Sequence, residues 1–127
     1  MGNGRIDGLI SKYSELVEEL KITFPHVDLK ILLELFSHRL LHPEHKPTVR
    51  LEIFYDKNVN LNNKASMLSK VTGVMPNIYR DEHRLVIEPR LELDELKEIA
   101  MDNDIVSLAG DLICCLDTLL SRRKLSV

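Results

Sequence analysis

The chain has 127 residues, 44% hydrophobic and 29% charged, with a formal net charge of −3 at pH 7; this composition is typical of one globular domain and not of a disordered chain. It has no Trp and only three Tyr and three Phe, so we expect a core of Leu, Ile and Val. No apolar run reaches the length of a membrane span, and the first residues lack the apolar segment of a signal peptide. We therefore expect a soluble, cytoplasmic protein.

The two cysteines of the chain, Cys114 and Cys115, are adjacent, which argues against an ordinary disulfide and favours reduced thiols.

The N-terminal third, residues 1–45, predicts a helical hairpin. Apolar residues recur at helical spacing between Ile6 and Leu20, the pattern of an amphipathic helix. A second such pattern follows between Ile31 and Leu40, with Asp28 as a candidate N-terminal cap. Because only a short turn separates them, the two helices should pack antiparallel.

The middle of the chain, residues 48–110, predicts a compact α+β core. The stretch "TVRLEIFYD" alternates apolar and polar residues as a strand does, and the next segment has the spacing of a helix that ends at Gly73. A hairpin around "RDEH" and a helix in "ELDELKEIAMDND" follow. The element order α α β α β β α (β) α predicts a small antiparallel sheet with a ferredoxin-like split β-α-β core. Residues 104–110 fit either a closing strand or a helix, and residues 111–122 predict a C-terminal helix, within a single domain spanning 1–127.

The stretch "LSKVTGVMPNIYRD", residues 68–81, allows two interpretations with different functions. A helix capped by Gly73 and followed by a hairpin belongs to a small α+β domain. A helix-turn-helix-like segment at 62–82 would instead make the protein a nucleic-acid-binding regulator. That alternative would use the basic side chains Lys64, Lys70, Arg80 and Arg84. The acidic net charge and the adjacent Asp81 and Glu82 oppose contact with phosphates, so we favour the hairpin.

Few residues suggest chemistry. His38 and His42 are four apart on a helix, the spacing of a metal-chelating pair, but no further ligand is identifiable, so we expect no metal and no cofactor. No nucleophile motif, phosphate-binding glycine loop or zinc-protease motif is present, which favours a protein that is not an enzyme. The charged side chains around the predicted hairpin form the most functional-looking polar group: Tyr79, Arg80, His83 and Arg84.

The distribution of charge and of amphipathic helix favours an interaction module. Residues 57–90 contain six Lys or Arg and three acids, whereas residues 91–120 contain one Lys and eight acids. Opposite charges in adjacent segments suit pairing between copies or with a partner. The two terminal helices exceed what one small sheet needs to cover it. We therefore expect a small non-enzymatic protein that self-associates as a homodimer or binds an unidentified protein. The expected association surface consists of Leu9, Tyr13, Leu16, Leu112, Leu116 and Leu119.

Overall fold

The computed structural model describes residues 2–113. They form a mixed α+β fold with helices and one antiparallel sheet, as the sequence predicts. The elements in chain order are α1 (Gly2–Thr23), α2 (Leu29–Leu41), β1 (Thr48–Tyr55), α3 (Leu61–Thr72), β2 (Asn77–Tyr79), a 3₁₀ turn (Arg80–Glu82), β3 (Arg84–Ile87), α4 (Leu93–Ala100) and β4 (Ile105–Ile113).

The sheet has the strand order β2-β3-β1-β4, and every neighbouring pair is antiparallel. From Thr48 to Ile113 the elements run β-α-β-β-α-β, which is consistent with the predicted split β-α-β arrangement. The eight-residue β1 lies between β3 and β4, so that Leu51 pairs with Ile87 on one side and with Gly110 on the other. The strand with the clearest alternation in the sequence, β1, is thus an interior strand of the sheet.

One face of the sheet carries the core. The burial of β1 alternates, because successive side chains of a strand point to opposite faces: Val49, Leu51, Ile53 and Tyr55 are buried, while the residues between them are exposed or half-buried. The inward side chains join those of the helices in a single hydrophobic cluster. Its fully buried members include Ile31, Leu32, Leu51, Ile53, Leu85, Ile87, Leu91, Leu96 and Leu108. The opposite face is more polar.

The stretch 68–81 folds as helix, glycine cap and hairpin. The side chain of Asn60 accepts hydrogen bonds from the backbone N–H groups of Asn62 and Asn63 at the start of α3, and Gly73 ends the helix with φ 77°, a left-handed conformation that glycine adopts without steric cost. The chain then enters β2, so residues 77–79 are extended rather than part of a recognition helix. The helix-turn-helix interpretation of this stretch is therefore wrong.

The last described element corrects the prediction for the C-terminal region. Residues 105–113 form one strand, β4, which answers the open question about 104–110. The prediction of helix from residue 111 is wrong for 111–113, because β1 continues to Thr48 and pairs with β4 as far as Ile113. Backbone groups of an interior strand must be paired, and β4 supplies the partners. The rest of the predicted helix, 114–122, lies outside the described residues.

The outer edge of β4 is covered by the turn between α1 and α2. The N–H of Asp28 donates to the carbonyl of Leu108 at 2.7 Å, and the N–H of Leu108 donates to the carbonyl of His26 at 2.9 Å. Further along, the N–H of Leu112 donates to the carboxylate of Glu34 at 3.0 Å. A free strand edge is a template for unwanted pairing, and these contacts both close it and fix α2 against the sheet.

Candidate functional site

An apolar stripe on α1 is the main apolar surface that the described residues, 2–113, leave uncovered. The side chains of Ile6, Leu9, Ile10 and Tyr13 are 56%, 61%, 58% and 53% exposed. Their spacing of three and four residues places them on one face of the helix. An isolated exposed leucine needs no explanation, but a contiguous apolar row marks an interaction surface. We call these four residues the α1 stripe.

The stripe continues into the core at the C-terminal end of α1. Leu16 packs, half-buried, against the core cluster, and Leu20 and Phe24 are buried. Of the predicted association residues on α1, Leu9 and Tyr13 are therefore exposed, whereas Leu16 is mainly engaged within the chain. Ile6 and Ile10 belong to the same surface, although the predicted set omitted them. Their helical spacing was already visible in the sequence.

The C-terminal part of the predicted association surface differs. Leu112 lies in β4 rather than on a helix, is half-buried, and packs against the core cluster. It helps to line a mostly apolar groove between α2 and β4, together with Leu33 and Leu41. Leu116 and Leu119 lie outside the described residues, as do Cys114 and Cys115. The structure therefore does not join Leu112 to the α1 stripe through a shared helix.

The charged hairpin residues separate into two groups. Tyr79 pairs with Arg84 across β2 and β3, and Arg84 pairs with Phe54 across β3 and β1, so these three side chains form a row on the polar face of the sheet. Arg80 and His83 instead line a cavity at the start of α3. The predicted group Tyr79, Arg80, His83 and Arg84 is thus not one surface. Phe54 was not predicted; the alternation within β1 placed it opposite the core, but only the strand register shows its neighbours.

Arg84 is held within the chain on several sides. Its guanidinium lies 4.5 Å from the centre of the Tyr79 ring and 5.9 Å from that of Phe54, within the range of cation–π attraction. Its nitrogens also contact the carboxylates of Glu52 at 3.2 Å and Glu82 at 2.7 Å. With its side chain only 17% exposed, Arg84 has little free charge to offer a phosphate backbone.

The remaining basic residues of the nucleic-acid alternative do not converge either. The ammonium of Lys64 lies 2.8 Å from carboxylate oxygens of both Asp102 and Asp104. Burial lowers the pKa of Lys64, but hydrogen bonds and charge attraction from the two carboxylates outweigh it and raise the pKa overall. Burial and the same carboxylates also raise the pKa of Tyr55. Lys70 is exposed. Since Lys64 and Arg84 are neutralised by acids, phosphate contacts would fall to Lys70 and Arg80.

The predicted histidine pair belongs to a cluster of three imidazoles at the end of α2. The ring centre of His38 lies 5.2 Å from that of His42 and 6.3 Å from that of His45. Burial lowers the pKa of His38, and the charges of His42 and His45 lower it further. Within residues 2–113, no group of three or more His, Cys, Asp or Glu is arranged to hold a metal ion. Of the three imidazoles, only that of His38 is buried, while His42 and His45 are exposed.

Comparisons with protein-family models, with curated proteins and with solved structures find no match to this chain. Among the described residues, no helix is both long enough and apolar enough to cross a membrane.

Proposed function

We propose that the protein is a small non-enzymatic interaction module that forms a homodimer through the α1 stripe. The observation that carries the proposal is the contrast within α1: Leu20 is buried in the core, while four large apolar side chains on the same helical row are each more than half exposed. Burial of apolar surface is the main favourable term in protein association, and a second copy offers the same surface with the same spacing.

The spacing of the stripe suits helix pairing. Ile6, Tyr13 and Leu20 are seven apart, and Leu9 and Leu16 repeat the same interval, which gives the a and d positions of a heptad repeat. Apolar residues at these positions form a continuous seam between two helices. Because Leu16 and Leu20 already contact the body of the protein, the free part of the seam extends from Ile6 to Tyr13. Such a short seam supports a weak dimer rather than an obligate one.

The proposal is tested by sedimentation equilibrium of the full chain over about 1–300 µM, a range that covers weak dimers. We expect a monomer–dimer equilibrium in the wild type and a monomer for Leu9→Asp, because the new carboxylate would be desolvated in the seam. The matched control is Ser11→Asp, which places the same charge at an exposed position outside the stripe and should leave the dimer intact. A wild type that remains monomeric throughout would refute the proposal.

A further inference from the structure

A surface cavity at the start of α3 is separate from the α1 stripe. It has a volume of about 430 Å³, and polar side chains dominate its lining: Asn58, Asn60, Asn62, Arg80 and His83. The first three come from the turn and first residues of α3, and the last two from the link between β2 and β3. The cavity thus joins two segments that are distant in sequence, and a cation faces several carboxamides there.

Arg80 lies in this cavity, and neither of the two acids that follow it, Asp81 and Glu82, is among the lining residues. Glu82 instead pairs with Arg84 at 2.7 Å. One of the terminal nitrogens of Arg80, Nη2, donates a hydrogen bond to Oδ1 of Asn62 at 2.9 Å. In the part of the chain that the structure describes, Arg80 forms no ion pair, whereas Arg84, four residues away, contacts two carboxylates. A guanidinium has five N–H donors in a fixed plane, so the bond to Asn62 orients it and leaves other donors for a ligand.

His83 occupies a backbone conformation that costs free energy. Its φ of 50° is the only positive φ of a non-glycine residue in the described chain. Its N–H donates to the carbonyl of Arg80 at 3.2 Å, and its carbonyl accepts from the N–H of Tyr55 at 2.9 Å, so β1 and the turn hold it in place. Glycine is the usual residue in this conformation. Strained backbone of this kind is concentrated at ligand-binding sites in proteins.

The two imidazole nitrogens of His83 differ in their surroundings. Its Nδ1 is shielded from solvent and makes no hydrogen bond within residues 2–113. Because His83 lines the cavity, Nε2 is the nitrogen left to meet a bound group. The first amides of α3 are not available for this purpose, because Oδ1 of Asn60 already accepts from the N–H groups of Asn62 and Asn63. Recognition at this site therefore falls to side chains.

We propose that this cavity binds the phosphate group of a small hydroxylated molecule. Arg80 would hold the phosphate through paired N–H donors, the geometry in which guanidinium recognises oxyanions best, and Nε2 of His83 would donate a further bond. The carboxamides of Asn58 and Asn62 supply both donors and acceptors, which suit hydroxyl groups. The cavity is larger than a bare phosphate, and its neutral polar lining matches the rest of such a ligand.

The first test is a ¹H–¹⁵N titration of the full chain with sodium phosphate, against sodium chloride at equal ionic strength. We expect saturable chemical-shift changes at residues 58–62 and 80–83 with phosphate only.

Glucose 6-phosphate is expected to bind more tightly than inorganic phosphate, and glucose is expected not to bind. Arg80→Ala should weaken phosphate binding at least about tenfold, since it removes a charge-assisted bidentate contact. Lys70→Ala, which removes an exposed cation of α3 outside the cavity, should not. Shifts that chloride reproduces, or that persist in Arg80→Ala, would overturn the assignment.

The second test separates a ligand contact from a role in the turn. His83→Gly relieves the positive φ, so its melting temperature should equal or exceed that of the wild type, while phosphate affinity falls at least about fivefold. Unchanged affinity in His83→Gly would show that the histidine only closes the turn and would overturn the two-residue site. Both experiments are independent of the proposed dimer, because the cavity and the α1 stripe share no residue. Leu9→Asp should therefore leave phosphate binding unchanged.

Discussion

Helices α1 and α2 have similar amphipathic sequences but different surroundings. On α2, Ile31, Leu32 and Leu35 are almost completely buried against the sheet. On α1, only the C-terminal part, from Leu16 onwards, reaches the core, and the α1 stripe is exposed over the preceding turns. Both helices have apolar residues at intervals of three and four. The comparison shows that such a pattern specifies a face that needs covering but not what covers it.

The two helices differ in burial because of their contacts with the sheet and not because of their own sequences. Helix α2 is fixed to β4 by the carboxylate of Glu34, which accepts from the N–H of Leu112, and by the ion pair of Lys30 with Asp111. Since β4 supplies these contacts, α2 covers the sheet and α1 remains at the periphery. Among the described residues, the side chains of the α1 stripe are therefore left more than half exposed.

The largest expected effect is on the free energy of unfolding when one leucine of each helix is truncated. Leu32→Ala in α2 should lower it by about 2–5 kcal/mol, because the side chain is fully buried and its removal leaves a cavity. Leu9→Ala in α1 should change it by less than about 0.5 kcal/mol in dilute monomer. Urea unfolding at low micromolar concentration measures both.

Concentration provides the control for that comparison. If the stripe forms a dimer, the unfolding midpoint of the wild type should rise with protein concentration, and that of Leu9→Ala should rise less. A large loss of stability for Leu9→Ala in dilute monomer would mean that the stripe is packed within one chain. The apolar faces of α1 and α2 would then not differ in burial.

A pair of glycine substitutions sharpens the same contrast, with effects of opposite sign. At Gly110 in β4, an added Cβ would lie 2.6 Å from the carbonyl oxygen of Arg50 and 2.9 Å from a methyl carbon of Leu51, so Gly110→Ala should destabilise by about 1–3 kcal/mol. At Gly8 in α1, an added Cβ meets nothing within 4 Å. Gly8→Ala should therefore stabilise α1 by about 0.5–1 kcal/mol through helix propensity alone.

Thermal unfolding followed by circular dichroism measures both glycine variants. Helical signal should increase or stay constant for Gly8→Ala, while the melting temperature of Gly110→Ala falls. Equal effects at the two positions would indicate that α1 is as tightly packed as the contact between β1 and β4, contrary to the structure.

Much of the fold was predictable because its signals are local. The cap at Asn60, the glycine at the end of α3 and the alternation of β1 all lie within a few residues of the elements that they define. The identity of β4 was less accessible, because the inward-facing position between Leu108 and Leu112 is Gly110. A glycine there interrupts the apolar alternation of a strand, and the leucines on either side also fit helical spacing.

The candidate sites were only partly predictable for a related reason. The α1 stripe is a local pattern, and the predicted association surface included Leu9 and Tyr13 from it but not Ile6 and Ile10. The contact of Arg84 with Tyr79 and Phe54 depends on the register of three strands, and the cavity of Arg80 depends on where the β2–β3 link meets α3. Both are set by pairing between distant segments, which no short motif records.

The smallest expected effect is the pH dependence of stability at the end of α2, a covered helix with a buried titratable group. His38 is 7% exposed, and burial first, then the charges of His42 and His45, lower its pKa below the usual value near 6.5. The unfolded chain therefore binds a proton more readily than the folded one. Stability contributed by neutral His38 is present above about pH 6.5 and is lost as the pH falls below that value.

The slope of the urea midpoint between about pH 7.5 and 5.5 isolates this contribution. His38→Gln should flatten the decline, because glutamine does not titrate, whereas His26→Gln removes an exposed histidine of the α1–α2 turn and should flatten it less.

The slopes, and not the midpoints themselves, are the quantity to compare, since the substitution at the buried position also lowers stability at every pH. Two other charged side chains, Arg39 and Glu92, line the same small cavity as His38. Both are present in each variant, so their contribution cancels when the two slopes are subtracted. A His38→Gln slope equal to that of the wild type would mean that the end of α2 opens readily to water, and α2 would then resemble α1 more closely than its packing implies.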